Sequence, residues 1–224
     1  MNPVYLTTVD NGHPMLTDIK EHIEQDMERV LTEIKQITQS QVDLVNAIGS
    51  YALEQPGRKM VRPMILLLMA RAFGYSGEHH ISLAAIIEMI HSATLLHDDV
   101  IDHATTRRNK ATTQHIYGGT QSILMGDFIY ACAFGLIANL NSTQLTKILA
   151  QATKQIVEGE VQQLSQQRSL DTSIEEYFSI IEGKTAKLFS TGTHCITHLC
   201  QQTNHPAQHY GHHFGMIYQI TDDI

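Results

Sequence analysis

The residues best suited to chemistry stand at the end of an apolar stretch, where three aspartates occur within five positions. Asp98 and Asp99 are adjacent, and Asp102 follows four residues after Asp98. On an α-helix this spacing places Asp98 and Asp102 on one face, about 6 Å apart along the axis. Clustered carboxylates repel one another unless a cation neutralises them, and oxygen ligands in this number suit Mg²⁺. The alternative is a solvated last turn, which the helix dipole disfavours for anions.

Cations follow directly, because Arg107, Arg108 and Lys110 lie within ten residues of the aspartates. Alone, they would be explained by a salt-bridged surface loop. Beside a metal site they predict a phosphate clamp, since the planar guanidinium of arginine matches phosphate oxygens with two hydrogen bonds.

A second aspartate pair, Asp222 and Asp223, ends another apolar helical stretch, with Gln219 four residues before Asp223. Two such pairs on separate helices could face each other across a bundle and hold several Mg²⁺ ions around one diphosphate. A single pair would be weak support for this interpretation, and two pairs strengthen it.

Two further basic positions are candidates for anion binding. Lys59 and Arg62 flank a turn before an apolar helix, and Lys184 with Thr185 lies in a helix that is apolar on one side. Ordinary surface cations are the alternative for each.

The elements that must position these residues are all predicted to be helices. The apolar spacing and the turn residues predict a series of helices. The first begins at about Thr17, and the second begins at a capping box at residues 40–43. Later helices are predicted over Pro63–Phe73, over Ile81–Asp102, over about Thr120–Leu140, from Ser142, over about Ser173–Cys200, and from Pro206 to the end. An irregular lead-in is expected over residues 1–15 and a break at Pro56-Gly57. Alternating strand patterns are absent from the sequence. We therefore predict an all-α, bundle-like single domain.

Composition narrows the function classes. Among 224 residues, 15 Lys and Arg stand against 23 Asp and Glu, for a formal charge of −8. This acidity argues against a general nucleic-acid binder, which needs a basic face. The longest unbroken apolar run, Met64–Ala70, is short for a membrane span of about 20 residues. No signal-peptide pattern and no CxxC pair are found, so a reduced, cytoplasmic location is expected.

In combination and order, the motifs resemble those of the trans-isoprenyl diphosphate synthases (polyprenyl synthetases), of the medium- to long-chain type. The matching segments, from about Gly57 to the last residue, are Asp98-Asp99-Val100-Ile101-Asp102, Arg107-Arg108, Gly126-Asp127-Phe128, Gly183-Lys184-Thr185-Ala186 and Gln219-x-x-Asp222-Asp223. The resemblance implies a helical bundle around a central apolar cavity. It also implies a Mg²⁺-dependent prenyltransferase that condenses isopentenyl diphosphate with geranyl, farnesyl or geranylgeranyl diphosphate into a longer all-trans polyprenyl diphosphate.

The resemblance also implies roles for individual residues. Two or three Mg²⁺ ions would be bound by Asp98, Asp99, Asp102, Asp222 and Asp223. Catalysis would depend on Asp98, Asp102, Lys184 and Asp222, with Arg107, Lys184, Gln219 and Thr185 holding the allylic diphosphate. Isopentenyl diphosphate would be bound by Lys59, Arg62, His91 and Arg108.

In the resemblance, product length is gated by the residues four and five positions before the first aspartate motif. These are Thr94 and Ala93, both small, whereas short-chain enzymes tend to place aromatic residues there. Small residues leave the tunnel open, which favours a medium- to long-chain product over farnesyl diphosphate. Tyr130 or Phe134 is a candidate for the floor of the tunnel.

The sequence departs from the family pattern in three places. Where the family has Gly-Lys-Arg-x-Arg-Pro, residues 58–63 are Arg-Lys-Met-Val-Arg-Pro, so the middle arginine is lost. Asn109 replaces a glycine. The third aspartate of the second motif and the helices after it would lie past Ile224, so we expect one domain over residues 1–224 that lacks the family's C-terminal helices.

The resemblance implies a homodimer, and a heterologous small subunit is an open alternative. A regulatory subunit without activity of its own is a second functional hypothesis. A metal phosphohydrolase is a third, suggested by the dipeptide His97-Asp98. Zinc binding by the histidine pairs at 194/198 and 209/213 is the least favoured, because no third ligand is suitably spaced.

Overall fold

A computed structural model describes residues 16–53, 58–166, 173–202 and 206–224. The predicted lead-in and the break at Pro56-Gly57 lie outside these ranges. The helices are α1 (Leu16–Glu21), α2 (Glu24–Ile37), α3 (Asp43–Leu53), α4 (Val61–Ala72), α5 (His79–Ile101), α6 (Thr113–Tyr117), α7 (Gly119–Asn139), α8 (Thr143–Gln166), α9 (Ile174–Ile181), α10 (Lys187–Leu199) and α11 (Ala207–Asp222). A π-helical segment, Glu182–Ala186, joins α9 to α10, and a short hairpin pairs β1 (Thr106–Arg107) with β2 (Lys110–Ala111).

Helix α5 is the centre of the bundle. Its residues 83–90 are buried on every side, and α2, α4, α7 and α10 pack around it. A helix that is apolar all round is stable only when other helices cover it, which explains this position. The same helix ends in Asp98 and Asp99, so the packing of its apolar part carries two carboxylates to the edge of the core.

Helix α7 is long and apolar enough to cross a membrane by length and composition, with a mean hydropathy of 1.5. In the sequence, Gly126 and Asp127 interrupt the apolar residues of this helix, so no long unbroken apolar run marks it. Its inner face, which includes Met125, Ile129 and Ala133, is buried in the bundle, where α7 packs along α5. Packing in the core therefore accounts for the apolar character of this face.

Two glycines allow α11 to approach α10 closely. A Cβ atom added at Gly215 would lie 2.5 Å from the Cα of Ala186, and one added at Gly211 would collide with the backbone carbonyl of Phe189. The ring of Phe189 packs between Phe214 and Tyr218 at this crossing, with centroid distances of 5.2 and 5.7 Å. The close crossing places the end of α11 beside the π-helical segment.

The structure corrects several predicted element boundaries. The first predicted helix is divided into α1 and α2. The capping box does not form: the Ser40 N–H is bound by Asn46 Oδ1 rather than by Asp43, and α3 begins only at Asp43. Pro63 is the third residue of α4 and not the first. The hairpin was not predicted, because two-residue strands are too short to show an alternating pattern.

We predict that Gly215→Ala destabilises the chain, because the added methyl group meets backbone atoms of the π-helical segment that cannot move aside. Overpacking of this kind costs about 1–3 kcal/mol, or several degrees in the midpoint of thermal unfolding. Gly135→Ala on the exposed face of α7 is the matched control, since its methyl group meets no described atom within 4 Å and should leave the midpoint equal or higher. Equal midpoints for Gly215→Ala and the parent would contradict the predicted clash.

Candidate active site

Two carboxylates at the end of α5 are removed from water. Asp98 and Asp99 are 7% and 5% exposed, whereas Asp102, which caps the helix, is exposed. Burial, followed by the nearby charge of Glu160, raises the pKa of Asp98 to about 6, while Lys184 opposes the rise. Burial also raises the pKa of Asp99, against the effect of Arg107. Buried like charges of this kind favour a bound cation.

Lys184 is the cation that approaches Asp98. Its Nζ lies 3.7 Å from Asp98 Oδ2 and 3.4 Å from Glu160 Oε2 on α8. Gly159 and Gly183 face each other where α8 meets the π-helical segment, and a Cβ added at Gly159 would make an ordinary contact of 3.7 Å with the Cα of Gly183. The lysine is therefore held between a buried aspartate and a glutamate that the sequence analysis did not select.

The residue after Lys184 connects the same segment to the second aspartate pair. Thr185 is buried and donates a hydrogen bond of 2.6 Å to Gln219 Oε1. Gln219 Nε2 in turn donates to Asp223 Oδ1 at 2.8 Å, and the hydroxyl of Tyr177 donates to the other oxygen of that carboxylate at 2.7 Å. Two neighbouring residues of the π-helical segment therefore contact different aspartate motifs. Lys184 approaches Asp98 of the first motif, and Thr185 bonds Gln219 of the second. Segments of this kind occur frequently at functional sites.

Asp222 is exposed at the last position of α11. Asp223, the other predicted metal ligand of the second motif, follows it in the chain and has different contacts. Asp223 is held by Gln219 and Tyr177, and these hydrogen bonds fix the end of the helix.

The β-hairpin directs its two arginines to different places. Arg107 Nε donates to Asp99 Oδ1 at 2.8 Å. Arg108 and Asn109 form the turn with φ angles of 50° and 61°, a left-handed conformation that asparagine tolerates better than most residues. Asn109 can therefore replace the family's glycine. Arg108 also lines a second pocket, which includes neither Asp99 nor Arg107 among its described lining residues.

Four of the ten described residues that line this second pocket are cations. It collects the four residues predicted to bind one diphosphate, together with Arg58, Glu88 and Tyr218 as neighbours; the four are Lys59, Arg62, His91 and Arg108. The side chain of Arg62 is partly buried against Phe189, with Cζ 4.4 Å from the ring centroid. Its Nε is buried and has no hydrogen-bond partner among the described residues. A buried N–H of a guanidinium without a partner favours an anionic ligand.

The electrostatics of this pocket also favour an anion. Burial lowers the pKa of Arg62, although the carboxylate of Glu88 opposes the change. Burial and the charges of Arg62, Arg58, Arg108 and Arg107 hold the pKa of His91 well below its ordinary value. His91 is therefore neutral at pH 7 and contributes a hydrogen-bonding ring rather than a further charge. A larger cavity of about 440 Å³, bordered by α2 and α3, contains none of the predicted site residues.

The residues predicted to control product length lie on α5 and α7. Ala93 is fully buried in the core, and Thr94, partly buried, donates its hydroxyl to the His91 carbonyl. The Tyr130 ring lies 6.0 Å from that of His97, and burial together with Asp98 raises its pKa to about 12. Phe134 is 47% exposed, so in one chain it does not close a buried tunnel. Tyr130 is thus the better candidate for a residue lining the tunnel.

The donor set around α5 fits Mg²⁺. Among the residues that the structure describes, no three His, Cys, Asp or Glu side chains converge into a complete metal site. Mg²⁺ does not need one, because it keeps several waters and is commonly shared between one or two carboxylates and the phosphates of a substrate. Asp98 and Asp102 could supply oxygen ligands from one helix face, and the second motif could supply others. The histidine pairs considered for zinc form no such group within the described ranges.

Comparison with known proteins decides the family. The family model for polyprenyl synthetases matches residues 42–224. The chain belongs to the polyprenyl synthetase family. It is 40% identical over 212 residues to the octaprenyl diphosphate synthase of Escherichia coli, an alignment covering 93% of the chain and 65% of that enzyme. It is 38% identical over 210 residues to an all-trans-nonaprenyl-diphosphate synthase of Rhodobacter capsulatus, covering 92% and 64%.

Solved structures of the polyprenyl synthetase fold agree. A decaprenyl diphosphate synthase from R. capsulatus superposes with a TM-score of 0.85 at 34% identity, over 92% of this chain and 65% of the other. A polyprenyl synthase from Caulobacter crescentus, complexed with calcium and isoprenyl diphosphate, gives a TM-score of 0.84 at 36% identity, over 92% and 63%. The predicted fold class is confirmed. The chain spans somewhat less than two thirds of the length of these relatives.

Sequence reasoning missed three residues of the site. Glu160 was missed because one carboxylate on a polar helix face carries no local signal, although Gly159 before it is a clue to close packing. Glu88 interrupts an apolar helix, which is a visible signal for a buried, paired charge. Arg58 was noted only as a departure from the family pattern.

We predict that Asp98→Asn stabilises the metal-free chain at neutral pH. The folded-state pKa of Asp98 is about 6, above the ordinary 3.8, so the folded chain binds this proton more tightly than the unfolded chain. The stability associated with the proton is present below pH 3.8 and is lost as the pH rises through 6. Removing the charge should raise the free energy of unfolding by about 1–3 kcal/mol at pH 7.5 and by little at pH 4.

The measurement is the thermal midpoint from pH 4 to 8 in a chelating buffer. Asp102→Asn is the control, since its carboxylate is exposed and should change the midpoint less. A lower midpoint for Asp98→Asn than for the parent at pH 7.5 would contradict the account of Asp98.

Proposed function

We propose that this chain carries the prenyl-transfer site of a Mg²⁺-dependent trans-polyprenyl diphosphate synthase. The observation that carries the proposal is the presence of two adjacent subsites of opposite charge. Asp98 and Lys184 lie at one of them, and the hydrogen bonds from Thr185 through Gln219 connect its π-helical segment to Asp223. Arg62 and Arg108 line the other. The ion pair of Asp99 with Arg107 borders a cavity that Arg108 also lines, which makes the two subsites neighbours.

The aspartate subsite would hold the allylic diphosphate. Asp98, Asp99, Asp102, Asp222 and Asp223 are the residues that would hold Mg²⁺, which when bound neutralises the diphosphate and stabilises its departure. Lys184, Arg107 and Gln219, with Thr185, would bind the oxygens of the same group. The allylic C–O bond breaks, the electron pair leaves with the diphosphate, and an allylic cation remains.

The cationic subsite would hold isopentenyl diphosphate through Lys59, Arg62, His91 and Arg108. From this position its double bond attacks C1 of the allylic cation, which forms the new C–C bond and a tertiary cation. Loss of one proton from that cation restores a double bond. No nucleophile from the protein is required, so the side chains bind, orient the two substrates and exclude water.

The contacts of His97 favour this chemistry over the phosphohydrolase hypothesis. Its ring nitrogen lies 3.2 Å from the Ile123 carbonyl oxygen and 3.4 Å from an Asp127 oxygen, both on α7. The histidine is thus engaged with the neighbouring helix rather than with the carboxylate of Asp98.

The direct test is incubation of the chain with farnesyl diphosphate, labelled isopentenyl diphosphate and Mg²⁺. We expect labelled products longer than farnesyl, and at least a hundredfold slower incorporation by Lys184→Met, because a cation at the leaving group is lost. Lys154→Met is the matched control, since that exposed lysine pairs only with Glu158 in the described structure. Phosphate release without elongation would contradict the proposal, and elongation that requires a second protein would favour the regulatory-subunit hypothesis.

We also propose a medium- to long-chain product. The small side chains of Ala93 and Thr94 support this, as do the octaprenyl and nonaprenyl diphosphate synthases among the relatives. Ala93→Phe and Thr94→Phe should each shorten the product by at least one five-carbon unit, because a phenyl ring near the end of α5 would obstruct a growing chain. Product sizes are measured by chromatography, with the thermal midpoint as a check on folding. Unchanged product length in both folded variants would contradict the proposal.

A homodimer is the proposed assembly. Large apolar side chains are exposed together along α6 and the outer face of α7, at Ile116, Ile123, Leu124 and Phe134. A second copy of the chain would cover this surface, which explains why a helix with a packed inner face is apolar on its outer face as well. A heterologous small subunit would use the same surface.

A further inference from the structure

We infer that Arg58 is an additional diphosphate-binding residue of the second pocket, the cationic subsite. Its guanidinium supplies the positive charge that the apolar side chain of Met60 does not supply. The inference rests on the proposed function, because it assigns the pocket to isopentenyl diphosphate. Arg58 and Met60 both border this pocket, together with Arg62, His91 and Arg108.

The guanidinium of Arg58 is anchored to the wall of the pocket by α5. Its Nη2 donates to Glu88 Oε1 at 2.5 Å and to Ser92 Oγ at 2.8 Å, and its Nη1 donates to the Leu53 carbonyl at 2.8 Å. Glu88 and Ser92 are 4% and 5% exposed and lie one helical turn apart. The three bonds use three of the five N–H groups of arginine, so the side chain is held in one orientation with donors remaining.

The charge balance of the pocket requires a further anion. Arg58, Lys59, Arg62 and Arg108 line it, whereas Glu88 is its one carboxylate among the described lining residues. Glu88 is paired with Arg58, and the Nε of Arg62 lacks a partner in the described structure. Lys59 and Arg108 are exposed, whereas the Nε of Arg62 is buried and would be compensated by an anionic ligand. A diphosphate provides that charge and can accept hydrogen bonds from more than one arginine.

The backbone explains why the cation can change position. Met60 precedes α4 with φ at 48°, a left-handed conformation that is uncommon for a residue with a side chain. This turn brings positions 58 and 60 to the same pocket, so either can present an arginine to it. In this chain, position 58 carries the arginine and position 60 is apolar.

The test is the affinity for isopentenyl diphosphate by isothermal titration calorimetry in a chelating buffer. Glu88→Gln is the reference, because Arg58→Met alone would leave a buried carboxylate unpaired and could impair folding. We expect Arg58→Met/Glu88→Gln to bind at least about tenfold more weakly than Glu88→Gln, as for a lost hydrogen bond between charged groups. Adding Met60→Arg should restore affinity to within about threefold. Arg58→Lys, which keeps the charge without the fork, should give an intermediate value.

Lys154→Met controls for the change in net charge, and the thermal midpoint of each variant controls for folding. Unchanged affinity in Arg58→Met/Glu88→Gln, with weaker binding by Arg62→Met, would overturn the role of Arg58 and leave the proposed function standing. A weakened variant that Met60→Arg does not restore would also overturn it, because Arg58 would then act only through the packing of α5. Absence of binding by the parent chain would overturn the proposed function itself.

Discussion

The structure depends on the burial of like charges in two neighbouring places. Asp98 and Asp99 are withdrawn from water at the end of α5, and the Nε of Arg62 is buried without a partner among the described residues, in a pocket that Arg108 also lines. Lys184 and Arg107 contact the first group, which Glu160 and Asp102 make more negative, and Glu88 balances part of the second. Groups of this kind destabilise a folded chain unless ligands of the opposite charge bind. The folded chain is therefore less stable without such ligands, and it binds them more tightly. A metal-bound diphosphate and a free diphosphate are the ligands that we propose.

The helices explain how such charges can be held. The apolar length of α5 provides the burial that fixes its polar end, and the close crossing of α10 and α11 at Gly215 brings the second aspartate pair to the same region. Between them, the π-helical segment directs Lys184 and Thr185 to different partners, which one regular turn would not readily do. The π-helical segment and the left-handed hairpin turn therefore occur where the two motifs and the hairpin arginines must be oriented.

Much of this could be predicted from the sequence. The all-α fold followed from the apolar spacing, and the family motifs follow one another in order, so most predicted residues could be placed on the correct element. Contacts across elements could not be predicted, because the position of Glu160 beside Lys184 depends on a close approach between Gly159 and Gly183. The π-helical turn and the hairpin were also missed. Both are too short to alter the hydrophobic period on which the helix assignments rested.

The central claim is that the chain holds two diphosphates at once, one through metal and one through its own cations. Equilibrium binding of isopentenyl diphosphate and of a non-reactive thio analogue of farnesyl diphosphate, with and without Mg²⁺, tests it most directly. We expect each chain to bind one molecule of each ligand at the same time. Only the farnesyl analogue should require Mg²⁺ for binding. Competition of the two ligands for a single site, or an equal requirement for Mg²⁺ by both, would contradict it.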